Sequence, residues 1–127
     1  MEKQKITSFT KLVAWQESHK LVLKVYKIVE NFPKKEIFIL TSQLLRAVIS
    51  VSSNIAEGFS RISQKEKIQF YSISLGSLTE VQNHLLIAKD LGYINVSQFN
   101  SLADQAILIH KLINGLIKSV GKRIINP

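Results

Sequence analysis

Apolar residues recur along this chain at steps of three and four, and strict alternation is absent, so the pattern predicts helices throughout. The first helix is expected from about Thr10 to Asn31. Leu12, Trp15, His19, Val22, Tyr26 and Val29 form a core seam there, and Leu21, Val25, Ile28 and Phe32 a second stripe beside it. Lys11, Lys20, Lys24 and Lys27 take the remaining face. Pro33 ends the helix, because a residue before proline is pushed out of the α region. Residues 1–8 are polar and expected to fray.

A short basic connection follows, with room for a helical turn. The second helix is expected from about Leu40 to Phe59, with Gly58 marking its C-terminus. Ser63-Gln64-Lys65-Glu66 matches a capping box and starts a third helix, about Gln64 to Leu91, carrying Phe70, Ile73, Leu78, Val81, Leu85 and Ala88. Gly76 and Ser77 at its middle suggest close approach of another backbone, and Gly92 is its stop. Asn95 to Gln98 is a second box. The fourth helix, about Val96 to Gly121, has Phe99, Leu102, Ala106, Ile109, Ile113, Leu116 and Val120 in register. Four amphipathic helices with short links predict an all-α single domain over residues 1–127. Its architecture is an antiparallel up-down-up-down four-helix bundle, with helices at about 10–31, 40–59, 64–91 and 96–121.

The second helix is the least ordinary. Leu44, Leu45, Ala47, Val48, Ile49, Val51, Ile55 and Ala56 cover most of its circumference. A narrow polar stripe cuts through them: Gln43, Arg46, Ser50, Ser53, Asn54 and Glu57. A helix apolar nearly all round is covered on several sides, inside the molecule or inside an assembly. A buried Glu57 needs a donor, which is expected from the third helix or a neighbouring chain because Arg46 is too far along the same helix.

Composition adds a partner class. Hydrophobic residues are 46% of the 127, enough for a packed core. Lys plus Arg number 17 against 9 acidic residues, a formal net charge of +8, which points to a polyanion and most simply to RNA or DNA. The absence of Cys excludes disulfides and thiolate metal sites. The N-terminal stretch has no apolar core of signal-peptide length. Charge breaks every apolar run before a span of about 20 residues, so no membrane helix and a cytoplasmic location are expected.

Candidate chemistry is sparse. No serine lies in a nucleophile-elbow motif and no Gly-rich phosphate loop occurs, so no catalytic residue and no cofactor are expected. Glu80 and His84, four apart, share a face of the third helix within reach of Glu57, but di-metal carboxylate bundles need a Glu-x-x-His spacing, twice, with two further glutamates. No metal site is expected. The helices are too long for a helix-turn-helix reader. The basic residues gather as Lys20, Lys24 and Lys27 on the first helix, Lys34, Lys35, Arg61, Lys65 and Lys67 near helix ends, and Lys118, Lys122 and Arg123 at the close. With few aromatics beside them, contact with nucleic acid is expected to be electrostatic and weakly sequence-specific. Arg46, Lys34, Lys35, Arg61, Lys65 and Lys67 are the candidate nucleic-acid contacts. Gln43, Arg46, Ser50, Asn54, Glu57 and Glu80 are the candidate structural and assembly seam.

The string SQLLRAVISVSSNIAEG, Ser42 to Gly58, resembles the signature of the family named after proteins encoded in 23S rRNA intervening sequences. Leu12 to Gln16 (LVAWQ), Phe32-Pro33 with Glu36, Phe70 to Glu80 (FYSISLGSLTE) and Leu91-Gly92-Tyr93 agree in order along nearly the whole chain. Two positions depart: Leu45 stands where the family commonly has the first of two arginines, and Ser52 where it commonly has proline. The resemblance implies a non-enzymatic bundle with a basic surface, a ring-shaped homopentamer in some members. A similar protein, the accessory variability determinant of diversity-generating retroelements, binds nucleic acid and a reverse transcriptase. The expected function is therefore an oligomeric bundle that binds RNA or other nucleic acid. The alternative is a homo-oligomeric scaffold or adaptor whose partner is a protein, such as a reverse transcriptase. A metal-dependent bundle enzyme is a third, weaker reading.

Overall fold

The computed structural model describes residues 9–125, with side chains to residue 122. A 3₁₀ turn, Phe9–Lys11, leads into α1, Val13–Val29. A second 3₁₀ turn, Lys34–Glu36, and a π-helical turn, Ile37–Thr41, lead into α2, Ser42–Ser60. Then come α3, Gln64–Asp90, and α4, Val96–Ile125. Each helix packs on the next in sequence and α1 packs on α4, which closes the four around a shared core. The fold is the all-α, up-down-up-down four-helix bundle that the periodicity predicts, with no strand among the described residues.

Local chemistry sets the ends. Ser63 Oγ accepts from the Glu66 N–H at 3.3 Å. Asn95 Oδ1 accepts from the Gln98 N–H at 2.7 Å while Gln98 Oε1 accepts from the Asn95 N–H at 2.9 Å, a complete reciprocal box. Gly92 has φ of +79°, and the Tyr93 N–H donates back to the Ala88 carbonyl at 2.8 Å, closing α3. The start of α1 is later than expected: Leu12 offers no side-chain cap, and its N–H closes the 3₁₀ turn onto the Phe9 carbonyl. Glu36 caps the π turn, its carboxylate accepting from the Leu40 N–H at 3.4 Å. The expected fraying of residues 1–8 lies outside the described residues.

Three sequence expectations about packing are corrected. The inward stripe of α1 is Ala14, Ser18, Leu21 and Val25; Trp15 lies at the rim with exposed His19 stacked on it at 4.7 Å, and Tyr26 is exposed. Two adjacent stripes satisfy the same period, and the small one wins because Ala14 and Ser18 admit a close neighbour while the larger amphipathic rings cover the edge. On α3, Tyr71 and Ser74 face the core in place of Phe70 and Ile73. The inward hydroxyl is tolerated because Ser74 Oγ donates to the Val51 carbonyl at 2.7 Å. Gly76 is open to solvent and Gly58 is not a C-terminal residue. α2 runs on to Ser60, and Gly58 sits buried against Tyr71 and Phe70 of α3.

The π turn joins α2 smoothly, so Lys34–Ser60 forms one helical stretch of 27 residues, and an 18-residue window within it reaches a mean hydropathy of 1.2, enough by length and composition alone to cross a membrane. The sequence expectation, based on charges within the run, did not anticipate this continuity. Core helices share the same composition, and Leu44, Val48, Val51 and Ile55 of this stretch are fully buried against the other helices.

Candidate functional site

The polar stripe of α2 divides in two. Its middle is a ladder against α3: Ser50 Oγ and Ser77 Oγ are 2.7 Å apart, and Asn54 Nδ2 donates to the Ser50 carbonyl at 2.9 Å and to its hydroxyl at 3.0 Å. With Ser74 on Val51, these short side chains let two backbones approach while every hydroxyl keeps a partner. The outer members turn away. Gln43, Arg46, Ser53 and Glu57 are exposed.

Glu57 therefore needs no third-helix or neighbouring-chain donor. Its partner is Arg61, which follows α2 directly, with Nη2 2.7 Å from Oε2. The same guanidinium lies over the Phe70 ring at 4.6 Å. Lys67 Nζ donates to the Gly58 and Phe59 carbonyls at 3.3 and 2.7 Å, satisfying carbonyls at the end of α2. Arg61 and Lys67, both candidate nucleic-acid contacts, are thus engaged in building the α2–α3 corner. Lys65 is exposed in the first turn of α3, where the helix dipole disfavours a cation and gives its charge no local use.

Lys34 and Lys35 are exposed on the 3₁₀ turn that precedes α2, at the other end of the bundle. The 19 residues of α2 separate the two groups, a rise of about 28 Å. Arg46, in the second turn of α2, lies nearer Lys34 and Lys35. The six cations do not form one patch. Leu45, at the place of the family's first arginine, packs half-buried against the core and presents no second cation. Ser52 leaves α2 unbroken, its hydroxyl donating to the Ile49 carbonyl at 3.1 Å.

Glu80 joins neither group. The register set by Ser50 with Ser77, and Gly58 with Tyr71, leaves it away from Glu57, roughly 12–15 Å along the axis. Its Oε2 lies 3.3 Å from His84 Nε2. His84 Nδ1 is buried without a hydrogen-bond partner among the described residues. No group of three or more His, Asp or Glu side chains there could hold a metal.

Sequence reasoning missed the chemistry at the start of α2. Glu36 also accepts from the Tyr93 hydroxyl at 2.8 Å, tying the π turn to the α3–α4 link, where the Phe32 and Tyr93 rings lie 5.5 Å apart. That hydrogen bond, then burial and the carboxylate's charge, raise the Tyr93 pKa above its ordinary value. Beside it lies an apolar hollow of about 370 Å³ with Ile39, Leu40, Ile87 and Leu91 on its walls, and Glu36 and His84 among its polar groups. Phe38 projects next to it, 91% exposed, with Ile39 at 64% and Leu91 at 55%. The run Ile37-Phe38-Ile39 was visible in the sequence, but its exposure depends on the π turn.

The profile of the 23S rRNA-intervening sequence protein family matches residues 10–115. The crystal structure of a protein of unknown function from the S23 ribosomal protein family, from Bacteroides thetaiotaomicron, superimposes with a TM-score of 0.75 at 26% identity, covering 84% of this chain and 99% of that one. No curated protein matches the chain.

Proposed function

The chain belongs to the 23S rRNA-intervening sequence protein family, and on that premise we propose that it is a binding protein rather than an enzyme, a cytoplasmic bundle that joins copies of itself and holds RNA or DNA by electrostatic contact. The observation that carries this reading is the net charge of +8, with Lys34, Lys35, Arg46 and Lys65 exposed toward solvent. Because those cations sit at both ends of α2, a polyanion that reached them all would run the length of the bundle. Neutralising phosphates releases counterions, so affinity should fall linearly with salt on logarithmic axes. Filter binding of a structured RNA at rising salt tests this. Absence of binding at low salt, or binding indifferent to salt, sinks the reading.

A second reading follows from Phe38 and its neighbours. An exposed aromatic beside an apolar hollow suits a protein contact, and the patch supports assembly of this chain with a second copy. In that reading the oligomer is a scaffold or adaptor for another protein, a reverse transcriptase being the kind of partner the resemblance suggests. Both readings assemble, so RNA binding distinguishes them: assembly in light scattering together with a blank RNA result favours the scaffold.

A further inference from the structure

A groove of about 330 Å³ runs between α1 and α4. Lys24 and Lys27 of α1 form one wall, Ser97 and Ser101 of α4 the other, over a floor that includes Ile28 and Leu102. Among the described residues no carboxylate lines it. The two lysines share the groove with hydroxyls and the Gln98 amide rather than with acidic side chains.

Lys24 is held in position. Gln105 of α4 is only 8% exposed, and its Oε1 accepts from Lys24 Nζ at 2.5 Å while its Nε2 donates to the Glu17 carbonyl at 3.0 Å. The backbone of α1 thus orients a buried amide, and that amide orients the lysine. An ammonium has three donors, so two remain for a ligand. An ordinary surface lysine must be ordered when it binds; fixing Lys24 in the folded protein removes part of that cost beforehand.

We infer that this groove seats a phosphodiester of a nucleic-acid strand, with Lys24 and Lys27 balancing its charge and the Ser97 and Ser101 hydroxyls donating to its oxygens. The inference rests on the nucleic-acid reading above and places the principal contact on the side of the bundle rather than at its ends. Two cations and two neutral donors around one concavity match a group with several acceptor oxygens and a single negative charge.

The test is filter binding of a structured RNA across a salt series with the full chain. In the Lys24→Gln, Lys27→Gln double variant the logarithmic salt slope should fall by about one, for the one phosphate the groove neutralises, and affinity by about tenfold or more. A charge-matched control, Lys118→Gln with Lys122→Gln, should keep the wild-type slope. Ser101→Asp keeps Lys24, Lys27 and Gln105 and places a carboxylate on an exposed position of the groove, and should also weaken binding about tenfold, which guards against a folding defect in the double variant. If the wild type binds RNA and both groove variants keep its slope and affinity, the groove assignment falls and the nucleic-acid reading stands. If the wild type binds no RNA, both fall. Salt-sensitive binding of poly-glutamate in place of RNA, lost in the groove variants, would overturn the phosphodiester in favour of an acidic protein.

Discussion

Gly58 and Tyr71 meet where α2 packs on α3: a Cβ at position 58 would stand 2.7 Å from Tyr71 Cε1 and 3.2 Å from Phe70 Cβ. Tyr71 is buried, so its ring has little room to yield. Gly58→Ala would gain about 1 kcal/mol of helix propensity and lose about 1–3 kcal/mol to overpacking. A net loss is expected, larger for Gly58→Val, read as a fall of several degrees in Tm by circular dichroism. An unchanged or raised Tm for both variants would show that the contact relaxes without cost.

Ser50 and Ser77 share one hydrogen bond in the ladder between α2 and α3. Each replaced singly by Ala should cost about 1 kcal/mol, and the double variant less than the sum, with a coupling of about 0.5–1.5 kcal/mol. Urea unfolding of the four proteins of the cycle measures it. Additive losses would mean that the two hydroxyls act independently.

Tyr93 and Glu36 give the fold an alkaline limit. The raised pKa means that the folded state holds the phenolic proton more tightly than the unfolded chain, whose tyrosines titrate near pH 10. The stability from this bond is fully present below that pH and is lost as pH rises through the folded value. Tyr93→Phe should be less stable than wild type at pH 7, and the gap should close at strongly alkaline pH. Parallel stability curves from pH 8 to 11 would refute the coupling.

Phe38 is exposed enough that Phe38→Asp should leave helix content and Tm nearly unchanged. The same change puts a charge in the apolar patch beside Ile39 and Leu91. Wild-type protein is expected to scatter light as an oligomer and the variant as a smaller species. A wild-type monomer, or an oligomer indifferent to this change, removes Phe38 from the interface.

What could be read from the residues followed how each helix spends its core positions. α4 was legible because Leu102, Ala106, Ile109, Ile113 and Val120 are all apolar and a simple period finds them. α3 misled because Ser74 is a core residue, and only the Val51 carbonyl across from it explains why. α1 misled because two stripes lie side by side and periodicity does not say which faces inward. The candidate site was less legible still. Lys34 and Arg61 look alike in composition, but the up-down topology sends them to opposite ends, and Arg61 is bound to Glu57. The Lys24–Gln105 bond joins residues 81 positions apart, which no local spacing could reveal.

The order of the helices matters while the protein is being made. The most extensively packed neighbour of α2 is α3, which follows it along the chain. A chain growing from its N-terminus exposes Leu44, Val48, Val51 and Ile55 with only α1 to lie against, until Tyr71 to Ala88 have also emerged. For that interval the apolar window within Lys34–Ser60 lacks its covering partner. Folding of this bundle is therefore a race between completion of α3 and capture of α2 by another apolar surface.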